Sequence, residues 1–265
     1  MTKLKWFGLI LAMGLFCLIT VMVAAQQGPP TGAQKGKGKG GPRDITKIIP
    51  PLEETGFTPI FDGKSLEGWD CDPDFWHAAD GEIIGETRPD HQPKQNIFCI
   101  WSGGQPADFE LRLQYKMTGE NGNSGIQYRS VQLPKVANWV LKGYQADIDG
   151  KETYTGQVYE ERIRGFLALR GQIVYIPDGQ KPGWIGTLGG AEELKNVIKS
   201  GDWNDMDIIA RGTTLIQLIN GRVMSIVIDD DRAHRKLEGE IGIQLHRVPD
   251  TAMKIETRNI RIKNF

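Results

Sequence analysis

Gly143-Tyr144-Gln145-Ala146-Asp147-Ile148-Asp149 alternates apolar and polar residues without a break. Tyr144, Ala146 and Ile148 fall on one side, and Gln145, Asp147 and Asp149 on the other. That is the period of a strand with one face in a core and the other face out of it. A polar turn leads on to Thr155-Gly156-Gln157-Val158-Tyr159-Glu160-Glu161-Arg162, which ends in two carboxylates beside an arginine. Carboxylates on a polar strand face, with a second pair close by, are a starting point for acid–base or metal chemistry. The competing reading is a solvated outer face carrying a surface ion pair.

The same alternation recurs on both sides. Phe109, Leu111, Leu113, Tyr115 and Met117 share one face of a strand over 108–117, with Glu110, Arg112, Gln114 and Lys116 on the other. Ile126-Gln127-Tyr128-Arg129 alternates again after a Gly/Asn-rich turn. Asp80-Gly81 and Asn220-Gly221 sit between short apolar runs and predict hairpins. Further strands are expected at 173–176, 203–210, 213–219, 222–228, 241–246 and 253–263, and one short helix at 191–199. With 33 glycines and 7 tryptophans, this reads as an all-β sandwich or barrel of about a dozen strands.

Met1 to Ala25 has the form of a secretory signal: Lys3 and Lys5, an apolar run from Phe7 to Val23, and small residues before Gln26. An uncleaved membrane anchor is the alternative, and Cys17, preceded by Phe16, lacks the small neighbour of a lipid-attachment cysteine. Either way the chain is expected to be exported to the periplasm, the cell surface or the medium. Residues 26–54, rich in Gly, Pro and Lys, cannot bury a core and are expected to be a disordered linker, leaving 55–265 as the folded domain. Loss of Lys3 and Lys5 with the signal takes the formal charge from -1 to -3 (-1 minus 2). With the only basic run in the linker, no nucleic-acid partner is expected. Cys71 and Cys99 are expected either to pair, as an oxidising compartment allows, or to remain two buried thiols.

Gln127 and Arg129, Gln145 and Asp147, and Gln244 and His246 each stand two apart on strands whose other face is apolar. A sheet face lined with Gln, Arg, Asp and His suits a sugar, because hydroxyls need both donors and acceptors. His246 is the one histidine of four on such a face. One negative is useful. Sandwich-fold glucanases of the laminarinase type carry Glu-x-Asp-x-x-Glu on one strand. Gln145-Ala146-Asp147-Ile148-Asp149-Gly150 lacks both glutamates, so a retaining two-carboxylate mechanism is not expected there.

Gly56-Phe57-Thr58-Pro59-Ile60-Phe61-Asp62-Gly63-Lys64-Ser65-Leu66-Glu67-Gly68-Trp69 opens a series of motifs. Asp108-Phe109-Glu110-Leu111, Asn123-Ser124-Gly125-Ile126-Gln127-Tyr128-Arg129, Gly143-Tyr144-Gln145-Ala146-Asp147-Ile148, Trp203-Asn204, Ile219-Asn220-Gly221, Gln244-Leu245-His246 and Arg258-Asn259-Ile260-Arg261-Ile262-Lys263 follow in order. Together they resemble the 3-keto-disaccharide hydrolase domain family. The family implies a concanavalin A-like, antiparallel double-sheet jelly-roll sandwich. It also implies cleavage of glycosides oxidised at C3. This chain reads Tyr144-Gln145-Ala146-Asp147 where many members read Tyr-Glu-Val-Gln. For that chemistry, which needs a base, a partner for the oxyanion and a proton source, the candidates to remove the C2 proton are Asp147 and His246. Arg129, or a divalent metal held by Asp147 and His246, would steady the enolate, and Glu160 or Glu161 would protonate the leaving oxygen. Gln127, Arg129, Tyr144, Gln145 and Gln244 would bind the sugar. The alternative is a lectin-like module that binds carbohydrate without cleaving it.

Overall fold

The structure, a computed structural model, describes residues 54–265. The expected signal or anchor (1–25) and nearly all of the linker (26–54) lie outside the described residues. Among those described, the strands are β1 (Thr58–Pro59), β2 (Trp69–Asp70), β3 (Trp76–Ala79), β4 (Glu82–Thr87), β5 (Ile97–Trp101), β6 (Phe109–Thr118), β7 (Asn123–Gln132), β8 (Leu141–Asp149) and β9 (Val158–Glu161). They continue with β10 (Gly165–Ala168), β11 (Gln172–Ile176), β12 (Gly183–Thr187), β13 (Asn204–Arg211), β14 (Thr214–Ile219), β15 (Arg222–Asp229), β16 (Glu240–Leu245) and β17 (Met253–Asn264). The helix is shorter than its pattern suggests, Ala191–Lys195, and residues 196–198 follow as hydrogen-bonded turns.

These strands form two sheets. One runs β12-β11-β15-β14-β13-β6-β17-β4-β3, with β1 added on β17; the other runs β10-β9-β8-β7-β16-β5-β2. Every pairing is antiparallel except β11 with β15. The architecture is therefore a jelly-roll sandwich of the concanavalin A type. Asn220-Gly221 and Asp80-Gly81 make the hairpin turns they predict. All four residues have positive φ, the two-residue turn that matches the strand twist.

The core lies between the sheets and follows the alternation. Phe109, Leu111, Leu113, Tyr115, Met206 and Ile208 of one sheet meet Ile126, Tyr128, Tyr144, Ala146, Ile148 and Ile243 of the other. Truncating one of the larger of these, such as Leu111 or Ile148, to Ala would cost about 2–5 kcal/mol, from lost transfer energy and the cavity left behind. On the outer side of the seven-stranded sheet a small second cluster forms from Phe98, Ile100 and Leu141. Leu141 occupies space left by Gly242, where a Cβ would come within 2.8 Å of Leu141 Cδ1.

Cys71 and Cys99 are joined as a disulfide, which ties the chain after β2 to β5 across 28 residues of sequence. Restricting the unfolded chain in this way contributes on the order of 3 kcal/mol. The double variant Cys71→Ser/Cys99→Ser is expected to lose about that much in denaturant unfolding. An unchanged midpoint would contradict it.

Candidate active site

The site grows from the outer face of the seven-stranded sheet. Register places Gln127 opposite Gln145 and Gly125 opposite Asp147 across β7 and β8. Tyr159 lies opposite Gln145, and Glu161 opposite Gly143, across β8 and β9. Because Tyr144, Ala146 and Ile148 are drawn into the core, Gln145 and Asp147 must point outward. The same alternation on β9 sends Val158 and Glu160 inward and Tyr159 and Glu161 outward.

Gln145, Asp147, Glu161, Gln244 and His246 line one cavity of about 280 Å³ together with Asn96, Asn123, Tyr154, Tyr159 and Phe166. Its floor is a chain of amides. Gln127 Nε2 donates to Gln145 Oε1 (3.2 Å), and Gln145 Nε2 donates to Asp147 Oδ1 (2.7 Å) and to Gln244 Oε1 (3.4 Å). Ser130 Oγ donates to Gln127 Oε1 and sets the direction of the chain. The amide of Gln145 lies over Gly125, where a Cβ would approach Gln145 Cδ to 2.6 Å. Only glycine leaves that space. Gln244 Nε2 ends the chain buried and without a partner, a donor that lacks an acceptor.

Asp147, Glu161 and His246, three titratable groups of the cavity, are poised differently. Asp147 is 5% exposed, and its carboxyl is pushed up to about 8. Burial is the main cause, the Gln145 amide works against it, and the nearby Asp149 and Glu161 add to it. Burial also pushes Glu161 up, against the pull of Arg162 and Asn96. His246 follows the last residue of β16. Burial pushes its imidazole below the ordinary range, only partly offset by the Arg247 carbonyl. Its Nδ1 lies 2.9 Å from Arg247 O. A carbonyl can only accept, so Nδ1 carries the proton and Nε2 is left with a free lone pair.

The third side is aromatic. Tyr154 and Phe166 stack at 5.5 Å with their planes 21° apart, and Tyr159 meets Phe166 edge-on at 5.0 Å. Asp149 is part of this wall's support rather than of the chemistry. Its carboxylate accepts the N–H groups of Thr153 (3.0 Å), Tyr154 (2.8 Å) and Thr155 (2.9 Å), which fixes the loop that carries Tyr154.

Four expected site residues do not line the cavity. Arg129 stands at a bulge, with φ +45° and a register shift between Tyr128 and Val131. Its guanidinium turns away from the outer face. It donates to Ala107 O (2.9 Å), Gly212 O (2.7 Å) and Asp108 Oδ1 (3.0 Å), and the residue is 1% exposed. Arg129 therefore ties β7 to the chain around the ten-stranded sheet's loops and is not available to an enolate. Arg129→Leu would remove these hydrogen bonds, whose part-exposed acceptors can turn to water instead, and a loss of about 1–3 kcal/mol of stability is expected. Tyr144 lies in the core, and its hydroxyl donates to Asp229 Oδ2 at 2.6 Å. Glu160 is fully buried on the inward face, paired with Arg164, which also meets Asp229 and Asp231. It is spent on that ion-pair cluster and cannot protonate a substrate held outside. Gln127 sits beneath the cavity and acts through Gln145.

A larger hollow of about 460 Å³ lies over the ten-stranded sheet. Its polar groups satisfy one another: Gln114 Nε2 donates to Asp205 Oδ1, and Asn259 Nδ2 donates to Gln114 Oε1, each at 2.9 Å. It offers no buried donor that seeks a ligand, so the smaller cavity is the stronger candidate. Among the described residues no group of three or more His, Cys, Asp or Glu side chains is placed to hold a metal ion. Asp147 and His246 alone supply fewer protein ligands than the three a catalytic zinc takes.

A sandwich whose outer face carries an amide floor, poised acid–base groups and a wall of aromatic rings has the make-up of a carbohydrate-handling protein. Residues 56–263 match the 3-keto-α-glucoside-1,2-lyase-like domain, and the chain belongs to that family of carbohydrate-active proteins. The fold is shared with two structures of putative glycosyl hydrolases from Parabacteroides distasonis ATCC 8503. In one the TM-score is 0.51 at 18% identity, covering 79% of this chain and 99% of that one. In the other it is 0.52 at 18% identity, with 79% and 94% covered. No curated protein matches the sequence.

Proposed function

We propose that this protein cleaves 3-keto-glycosides by proton abstraction at C2 and elimination of the C1 substituent, followed by addition of water. A ketone at C3 acidifies the C2 hydrogen. His246 Nε2 takes that proton, and the electron pair moves to the C3 oxygen as an enolate. The pair then returns to form the C1–C2 double bond as the C1–O bond breaks. Asp147, which holds its proton at neutral pH, gives it to the departing oxygen. The products are the free alcohol and a 2-hydroxy-3-keto-glycal, and water adds across the new double bond. The imidazolium and carboxylate left behind exchange protons with solvent.

The observation that carries this reading is the unpartnered Gln244 Nε2, buried at the end of the amide chain, on a residue that lines the same cavity as Asp147 and His246. A developing oxyanion is the acceptor it lacks, and a preoriented donor acts most strongly on charge that appears only in the transition state. Arg129 was the expected partner for that charge, and Gln244 takes its place. Export of the protein is part of the proposal, supported by the Cys71–Cys99 disulfide, which persists in oxidising compartments.

The direct test is to incubate the pure protein with methyl 3-keto-glucoside and with methyl glucoside, following methanol release. Release from the keto-sugar alone is expected. Release from both, or from the unoxidised sugar alone, would overturn the proposal. Saturable binding of the keto-sugar without release would instead assign the lectin-like reading, which the aromatic wall also suits. A divalent ion on Asp147 and His246 would need substrate and water for its remaining ligands. Dialysis against a chelator with turnover unchanged would dispose of it.

A further inference from the structure

The cavity is asymmetric in a way the elimination itself does not require. The base and the acid enter it from different strands. His246 follows β16, whose neighbour away from β7 is β5, and Asn96, just before β5, lines the cavity there. Asp147 lies on β8, whose other neighbour is β9. There Tyr159 stands opposite Gln145, and the ring of Phe166 on β10 meets Tyr159. The aromatic wall thus belongs to the acid's side of the cavity.

The wall is also unusually open for its composition. Phe166 is 45% exposed and Tyr154 42% exposed, although stacking on each other covers one face of each ring. Three aromatic side chains are brought together here from a loop and two strands, and the loop is held by four hydrogen bonds to the Asp149 carboxylate. Flat apolar surface held in place beside a polar cavity marks a face on which a ligand ring stacks.

Resting on the elimination reading above, we propose that Tyr154, Tyr159 and Phe166 form the subsite for the leaving group, and that it selects leaving groups with a flat apolar face. The keto-sugar ring then lies over Gln145 and Gln244 with C2 toward His246. C1 and its oxygen point toward Asp147, and whatever the oxygen carries extends onto the rings. Two kinds of group present such a face, an aryl ring and the C–H face of a second pyranose. A methyl group presents none. Binding energy gathered on the wall is remote from the bond that breaks and is available to orient it.

Three substrates with one glycone test this: 4-nitrophenyl 3-keto-glucoside, a 3-keto-glucosyl-glucose disaccharide, and methyl 3-keto-glucoside. Phe166→Ala is expected to lower the ratio of kcat/KM for aryl over methyl by on the order of tenfold. Tyr154→Leu, which keeps bulk but removes the ring, should lower it in the same direction. Loss on the aryl substrate alone assigns the wall to aryl leaving groups. Loss on both the aryl and disaccharide substrates assigns it to any flat face. Ratios that stay constant, with all three substrates falling together or none falling, would overturn the proposal. If the wild-type protein turns over none of the three, the elimination reading has failed, and the subsite is then read by calorimetry. Tighter binding of the aryl than of the methyl ligand, abolished by Phe166→Ala, would still support it. Equal affinities would contradict it.

Discussion

Asp147→Asn is expected to lower turnover of an alkyl 3-keto-glycoside by on the order of 100-fold or more, with the fold intact by circular dichroism. The amide fills the same space and still accepts from Gln145, but it has no proton to give. The pH profile should change with it. Asp147 is raised to about 8, so the wild-type enzyme holds the acid's proton at neutral pH and loses it as pH rises through that value. Activity should therefore fall on the alkaline side in the wild type, and that limb should vanish in Asp147→Asn. Substrate chemistry gives an internal control. A 4-nitrophenolate needs little protonation to depart, so the variant's deficit should shrink on the aryl substrate. An equal deficit on both substrates would assign Asp147 a binding or structural role.

His246→Gln should cost at least as much, within the range of 10²–10⁴-fold typical for a proton-transfer group, and a good leaving group should not rescue it. The glutamine can still donate to the Arg247 carbonyl, so the loss reads the missing base rather than a displaced strand end. Burial holds the wild-type imidazole below its ordinary range. It is therefore neutral at pH 7 and gains a proton only in more acidic solution. The acidic limb of the rate profile should lie below pH 6.5, the ordinary histidine value, and should be absent from His246→Gln. A variant with near-full turnover would move the base elsewhere. Glu161, the other raised carboxyl in the cavity, would then be the first candidate.

Alternation made much of this legible. The period of two over 108–117 and 143–149 told which side chains enter the core, and the Asn-Gly and Asp-Gly pairs told where the chain turns back. The outward set Gln145, Asp147, Gln244 and Glu161 followed from the same period. It also requires that only one of Glu160 and Glu161 face the site. What alternation could not carry was the bulge. Past Tyr128 the period breaks, and Arg129, counted on as an outward partner of Gln127, turns inside. A non-glycine residue at positive φ leaves no mark in the order of residues around it.

Tyr144 has a different lesson. Its phase is inward, unlike that of its neighbours Gln145 and Asp147, and its hydroxyl is occupied by Asp229 rather than open to a sugar. The aromatic wall escaped for a third reason. Tyr154 and Phe166 lie in a turn and on a short edge strand, where no periodicity accumulates. Only the loop's anchoring by Asp149 and the pairing of β9 with β10 bring the rings together. Tyr159 was within reach, since it shares a phase with Glu161. The helix at Ala191 stopped early because Val197 and Ile198 are held by turns rather than by a continuing helix.

Removal of the C2 hydrogen is the step that defines the elimination, and isotope labelling reads that step alone. With methyl 3-keto-glucoside deuterated at C2, the enzyme should show a primary kinetic isotope effect or wash deuterium into solvent, and the released sugar should carry hydrogen at C2. Cleavage at an unchanged rate with all of the deuterium retained at C2 would mean displacement at C1 without an enolate, and would contradict the mechanism.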